Sequence, residues 1–129
     1  MTQAASANHN ATMTIFWLVK ATPEWLAKPP LGDGGRFDFA EKTLKPLIAK
    51  YPQVSLRFYD AEAFTSQCSD VMQWTVNNLP QYSAMVEDLR ETAFWDRYFN
   101  VLQIIPTVED GYAKHYEQAA IGKPASKRP

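Results

Sequence analysis

Two hydrophobic patterns alternate along the chain, one with a period of two residues and one with helical spacing. Period-two runs place successive side chains on opposite faces and predict four strands, at residues 14–21, 54–60, 70–77 and 101–106. Helical spacing predicts two amphipathic helices, at residues 38–51 and from 80 to about 93. The resulting order, β-α-β-β-α-β, is that of the split βαβ motif, so the sequence predicts a ferredoxin-like α+β fold.

Both predicted helices carry signals at or near their ends. Asp38 followed by Glu41 has the spacing of a capping box. Pro46 lies inside the first helix and predicts a kink or an early end, because proline has no N–H to donate. Asn78 shortly before Pro80 predicts the start of the second helix.

Each predicted strand has one apolar face and one mixed face. The apolar faces are expected to pack under the helices and contain Ile15, Trp17, Val19, Leu56, Phe58, Met72, Trp74, Val76, Leu102 and Ile104. The mixed faces contain Lys20, Arg57, Tyr59, Gln73, Thr75 and Gln103 beside Phe16, Leu18, Val71, Val101 and Ile105. Such a surface is too apolar for water and too polar for a dry core. The mixed surface therefore favours a second copy of the chain packed sheet to sheet against it. The result would be a homodimeric α+β barrel that encloses a mostly apolar pocket.

The size and charge of the chain suit one soluble domain. With 129 residues, we expect a single domain at residues 13–118, between a flexible extension (1–12) and a flexible tail (119–129). The net charge of -1 gives no electrostatic footprint for nucleic acid or an anionic membrane. A single cysteine, Cys68, excludes an internal disulfide, and the first dozen residues do not have the pattern of a signal peptide. We therefore expect a cytoplasmic protein.

Three long strings of the sequence resemble a known family. TIFWLVKATPEWL, VSLRFYDAEAF and ETAFWDRYFNVLQIIPTVEDGYAKHY lie within residues 13–116 and resemble darcynin, a family of small bacterial proteins. The resemblance implies a fold similar to the dimeric α+β barrel group. That group includes cofactor-free monooxygenases, polyketide and olivetolic-type cyclases, lactone isomerases, and haem enzymes related to chlorite dismutase. The resemblance implies no particular reaction, because fold does not transmit function.

The densest polar group lies at the end of the second predicted strand. Arg57 and Tyr59 share a strand face and are about 7 Å apart. Arg57 could hold a carboxylate or an enolate, and Tyr59 or His115 could carry a proton. Asp60 and Glu62 follow at the strand end, where the mouth of a barrel would lie. The alternative is a solvated ion pair at an exposed strand end.

Five further residues are candidates for substrate binding. Lys20 and Gln73 lie on the mixed faces. Trp17 and Trp74 belong to the apolar faces and would line a pocket only if the faces were inverted. Trp95 begins an aromatic junction that could stack a planar substrate or simply seal the core. No metal site is predicted, because cysteine and histidine ligands are too few.

The sequence favours an enzyme that works by acid-base chemistry on an apolar or aromatic metabolite without a tightly held cofactor. Cyclisation, isomerisation and cofactor-free oxygenation fit the candidate residues equally. A non-catalytic small-molecule-binding or scaffold homodimer is the alternative, and a haem-dependent enzyme that uses His115 is a third class.

Overall fold

A four-stranded antiparallel sheet forms the centre of the computed structural model, which describes residues 12–123. Its strands, in the spatial order β2-β3-β1-β4, are β1 (Met13–Ala21), β2 (Val54–Asp60), β3 (Asp70–Val76) and β4 (Phe99–Thr107). The helices are α1 (Pro23–Leu26), α2 (Arg36–Phe39, a π-helical turn Ala40–Leu44, and Lys45–Ala49), α3 (Leu79–Arg90) and α4 (Gly111–His115). This order and topology confirm the predicted ferredoxin-like α+β fold.

Helices α2 and α3 cover the central strands on one face of the sheet. On the same face, Phe58 of β2 and Ile104 of β4 are each 44% exposed, so the prediction that these two side chains pack under the helices is wrong. Trp17 of β1 and Trp74 of β3 have no exposed surface. Leu47 of α2 and Met85 of α3 belong to the same cluster of buried side chains. Full burial of a large apolar side chain contributes about 1.5–3 kcal/mol, so this covered face provides most of the hydrophobic stabilisation of the fold.

Strand β4 changes faces at a β-bulge. Its register with β1 shifts so that Gln103 lies opposite Leu18 whereas Val101 lies opposite Val19. Leu102 is the extra residue, and the residues before it therefore lie on the faces opposite to those predicted. Val101 packs against the core, and Leu102 is 49% exposed. The prediction that Leu102 packs under the helices while Val101 lies on the mixed face is therefore wrong.

Helix α2 continues through Pro46 instead of ending there. Proline cannot donate a helical hydrogen bond, and its ring collides with the carbonyl four residues earlier in an ordinary α-helix. Here the preceding turn is π-helical, and the N–H of Lys45 donates to the carbonyl of Ala40, five residues back. The wider turn makes room for the proline ring, so the irregularity predicted at Pro46 is a π-turn.

The two long helices begin in different ways. Helix α2 begins at Arg36, so Asp38 lies in the first turn and accepts the N–H of Gly34 at 2.9 Å. The predicted capping box is therefore wrong, because Asp38 does not precede the helix. At α3 the side chain of Asn78 accepts the N–H of Gln81 at 2.9 Å, which confirms the predicted start.

Most of the predicted extension, residues 1–11, and residues 124–129 of the predicted tail lie outside the described residues. Among the helices in the described range, none is long and apolar enough to cross a membrane.

Candidate functional site

The second face of the sheet is only partly shielded. We call it the open face; its side chains are those of Thr14, Phe16, Leu18, Ser55, Arg57, Tyr59, Val71, Gln73, Thr75, Gln103, Ile105 and Thr107. On the two central strands these side chains are half-buried, and on the edge strands most are exposed. Tyr59 is 45% exposed and Ile105 is 40% exposed. The open face therefore carries apolar side chains that a single chain does not bury.

Strand pairing arranges the open face into three rows that run across the sheet. The first row consists of hydroxyl side chains, in the order Ser55, Thr75, Thr14 and Thr107. The second row is Arg57, Gln73, Phe16 and Ile105. The third row is Tyr59, Val71, Leu18 and Gln103. The open face is therefore polar along the first row. In the other two rows, the side chains on the two central strands are mainly apolar.

The structure brings three of the predicted site residues together. Gln73 lies directly opposite Arg57 in the pairing of β2 with β3. The hydroxyl of Tyr59 donates to Oε1 of Gln73 at 3.3 Å. A guanidinium, an amide and a phenol thus converge on one part of the open face, a combination that can bind an oxyanion and exchange a proton with it.

A shallow depression of about 300 Å³ lies on the open face and is lined by Thr14, Phe16, Gln73, Thr107 and Glu109. The sequence prediction found Gln73 but missed the two threonines and Glu109. Strand alternation places Thr14 on the same face as Phe16, and pairing of β1 with β4 places Thr107 opposite Thr14. The position of Glu109 had no sequence signal, because it depends on the path of the chain after β4.

Arg57 and Tyr59 do not line the depression, although they lie beside Gln73 on the open face, and the predicted site residues Lys20 and His115 also lie outside it. Lys20 is exposed at the end of β1, and its Nζ donates to the carbonyl of Ser66 at 3.3 Å. His115 is exposed on α4, where its ring packs edge-on against Tyr116 with the ring centroids 4.8 Å apart. Neither side chain lines the depression that Gln73 borders.

The three tryptophans predicted to bind substrate belong to the other side of the sheet. Trp17 and Trp74 are fully buried, with ring centroids 5.1 Å apart. Trp95 packs edge-on against Trp17 at 5.8 Å, and the guanidinium of Arg90 lies over its outer face at 5.2 Å. The predicted apolar faces are right for β1 and β3, so the assignment of Trp17 and Trp74 to substrate binding is corrected: both rings fill the core. Trp95 is half-buried and packs against that core.

An acidic group lies where β2 ends and β3 begins. Carboxylate oxygens of Asp60, Glu62 and Asp70 lie within 4.8 Å of one another. Asp70 is only 6% exposed, and this burial, together with the neighbouring Asp60 and Glu62, raises its pKa to about 6, although the hydroxyl of Ser69 donates to it at 2.7 Å. Asp60 and Asp70 are paired across the strands, so repulsion between neighbouring carboxylates adds to the effect of burial on the pKa of Asp70.

The described residues do not fit a haem. His115 is the only histidine in the described range, and its ring is exposed. A depression of about 250 Å³ near α4 is lined by Tyr112, Ala113, Tyr116, Gln118, Ala119 and Ile121, without His115. His115, the candidate axial ligand, therefore lines neither of the two depressions.

The sheet order, the covered face and the open face define a ferredoxin-like α+β domain, and solved structures share this fold. A mutant chlorite dismutase from Candidatus Nitrospira defluvii aligns with a TM-score of 0.64 and 12% identity over 100% of this chain and 56% of that chain. A second mutant aligns with a TM-score of 0.60 and 13% identity over 78% and 40%. This chain spans between about two-fifths and just over half of those chains, and the likeness shows the fold alone.

Comparison of sequences identifies the family. The family described as Darcynin, domain of unknown function, matches residues 1–125. A darcynin homolog from Granulibacter bethesdensis is 43% identical over 110 residues, covering 84% of this chain and 86% of the relative. A homolog from Streptomyces avermitilis is 41% identical over 105 residues, covering 81% and 84%. The chain belongs to the darcynin family, as the sequence resemblance predicted.

Proposed function

We propose that this protein is a homodimer that holds a small, largely apolar or aromatic metabolite between two open faces. The supporting observation is the half-buried state of Phe16, Leu18 and Val71, which one chain leaves in partial contact with water. A two-fold-related copy would cover these side chains and enclose the depression beside Gln73. Enclosure by mainly apolar walls with a few polar groups is the usual form of a small-molecule site.

The polar groups of the open face support acid-base chemistry without a tightly held cofactor. Arg57 would bind a carboxylate or the developing charge of an enolate, and Gln73 would position it. Tyr59, whose hydroxyl lies 3.3 Å from Oε1 of Gln73, would transfer the proton. His115 stays a second candidate for that transfer. Cyclisation, isomerisation or oxygenation of an activated carbonyl or phenol would use these groups alike.

The buried and unpaired Cys68 suits a reducing compartment, and we propose the cytoplasm as the location of the protein.

Binding of small aromatic acids tests the proposed site. In a fragment screen followed by NMR, we expect bound fragments to shift the amide signals of open-face residues such as Gln73. The amide signals of α3 should not shift. Arg57→Gln should weaken binding of anionic fragments about tenfold, because it removes a charge-assisted hydrogen bond. Arg90→Gln on the opposite side of the sheet is the matched control. Shifts confined to the helices, or equal losses in both variants, would count against the site.

A non-catalytic binding dimer is the second candidate function. It is favoured by Arg57, which forms no ion pair within the described range, and by the exposure of Tyr59. Incubation with a bacterial metabolite extract, read by mass spectrometry, separates the two candidates. An enzyme would convert a compound in a reaction that Tyr59→Phe abolishes. Retention of a compound without conversion would assign the protein to the binding class.

A further inference from the structure

The two sides of the depression on the open face offer opposite hydrogen-bonding groups. On the side of β2 and β3, Gln73 lines the depression. Arg57 lies outside the lining but directly opposite Gln73 in the strand pairing, and its guanidinium can only donate. The amide oxygen of Gln73 accepts the hydroxyl of Tyr59 at 3.3 Å, and its NH2 group offers two further donors. This side of the depression therefore favours an anionic or accepting oxygen.

The side of β4 offers acceptors. The hydroxyl of Thr107 donates its proton to the carbonyl of Thr14 at 2.5 Å, so its remaining capacity is to accept. Among the residues that the structure describes, Glu109 is the only charged side chain that lines the depression, and a carboxylate accepts hydrogen bonds without donating any. This side therefore favours a donor such as a hydroxyl group.

An aromatic ring lies between the two sides. Phe16 lines the depression from β1, the strand between β3 and β4. Neighbouring strands are about 4.8 Å apart, so groups on β3 and β4 are about 10 Å apart. A flat ligand of one or two fused rings can stack on Phe16 and reach both sides.

We infer that the ligand of the open face is a flat aromatic molecule with an anionic oxygen at one end and a hydroxyl at the other, and that Glu109 receives the hydroxyl. This inference rests on the proposed function and names its ligand class. It also adds Glu109 as a residue that determines specificity. Ligands without a hydroxyl hydrogen at this end cannot donate to Glu109 and should bind more weakly.

Two matched probes test the inference. We use 6-hydroxy-2-naphthoate and 6-methoxy-2-naphthoate, which share the carboxylate and the rings and differ in the donor. The hydroxy compound should bind about tenfold more tightly in NMR titrations, since a hydrogen bond to a charged group contributes at least that much. In Glu109→Ala the preference should fall to within about twofold, whereas Glu109→Gln, which keeps an acceptor, should retain part of it. Glu91→Ala on the helix side is the control.

The outcomes separate this inference from the proposed function. Equal binding of both probes on the open face of the wild type would overturn the role of Glu109 and leave the site standing. A preference that survives in Glu109→Ala would do the same. Binding of neither probe, or binding away from Gln73 and Thr107, would overturn the inference and count against the proposed site as well.

Discussion

The two faces of one sheet differ in what covers them. On β1, Trp17 has no exposed surface, whereas its neighbours Phe16 and Leu18 on the other face are half-buried. On β3, Trp74 is fully buried and Gln73 beside it is not. The central strands therefore divide their side chains between a core that is buried within one chain and a surface that one chain leaves partly exposed. Stability should depend mainly on the first face, and binding on the second.

Neighbouring aromatic residues on β1 give the strongest test of this division. Trp17→Ala should lower the free energy of unfolding by about 3–5 kcal/mol, because it opens a cavity in the core. The substitution also removes the hydrogen bond from Nε1 of Trp17 to the hydroxyl of Tyr82, 3.0 Å long. Phe16→Ala should cost only about 1 kcal/mol, since its ring is half-buried in the folded chain. Urea denaturation of both variants at a concentration where the chains are monomeric checks the contrast, which equal losses would contradict.

The covered face also contains a titrating group that should change the free energy of unfolding with pH. Asp70 is the only charged side chain buried in the described part of the chain, and its pKa in the folded state is about 6. The ordinary value is 3.8, so the folded state holds this proton more tightly than the unfolded chain. The stabilisation of the folded state by this tightly held proton is fully present below about pH 4. It falls as the pH rises to about 6 and is lost above that.

Asp70→Asn removes this titration. Relative to the wild type, the variant should gain about 2–3 kcal/mol in free energy of unfolding between about pH 4 and pH 7. Denaturant unfolding at the two pH values measures the difference. Asp33→Asn, at an exposed loop position, should leave the pH profile unchanged. A wild type and an Asp70→Asn variant with parallel profiles would show that Asp70 has no raised pKa.

The bulge in β4 predicts a smaller contrast. Val101→Ala should cost about 1 kcal/mol because Val101 packs against the core. Leu102→Ala should change stability by less than about 0.5 kcal/mol although the leucine is larger, because Leu102 is 49% exposed. Thermal unfolding of the two variants shows which of them loses more stability. A larger loss of stability in Leu102→Ala would mean that the side chains of β4 alternate without a bulge.

Sequence patterns predicted the parts of the fold that depend on local alternation. The bounds of β2 are those predicted, Val54–Asp60, and the core faces of β1 and β3 are confirmed. The bulge at Leu102 was not predictable, because an extra residue is defined only by its pairing with β1. The proline at position 46 predicted an irregularity but not a helix that continues through it. The helix continues because the hydrogen bonds of the π-turn span five residues instead of four, which the sequence does not show.

The candidate site was predictable only within single strands. Alternation placed Arg57 and Tyr59 on one face, and the register then determined that Gln73 lies opposite Arg57. The row of hydroxyls and the aspartate pair also required the register, which no single strand encodes. Glu109 follows the last strand, and its approach to the depression is a tertiary feature.

Sedimentation equilibrium at micromolar concentration tests the central claim most directly. If a second copy covers the open face, the wild type should have twice the chain mass of 14.7 kDa. Leu18→Glu on the open face should be monomeric, whereas Leu31→Glu, at a loop side chain that is 72% exposed, should remain a dimer. A monomeric wild type, or a dimer that Leu18→Glu leaves intact, would contradict the claim.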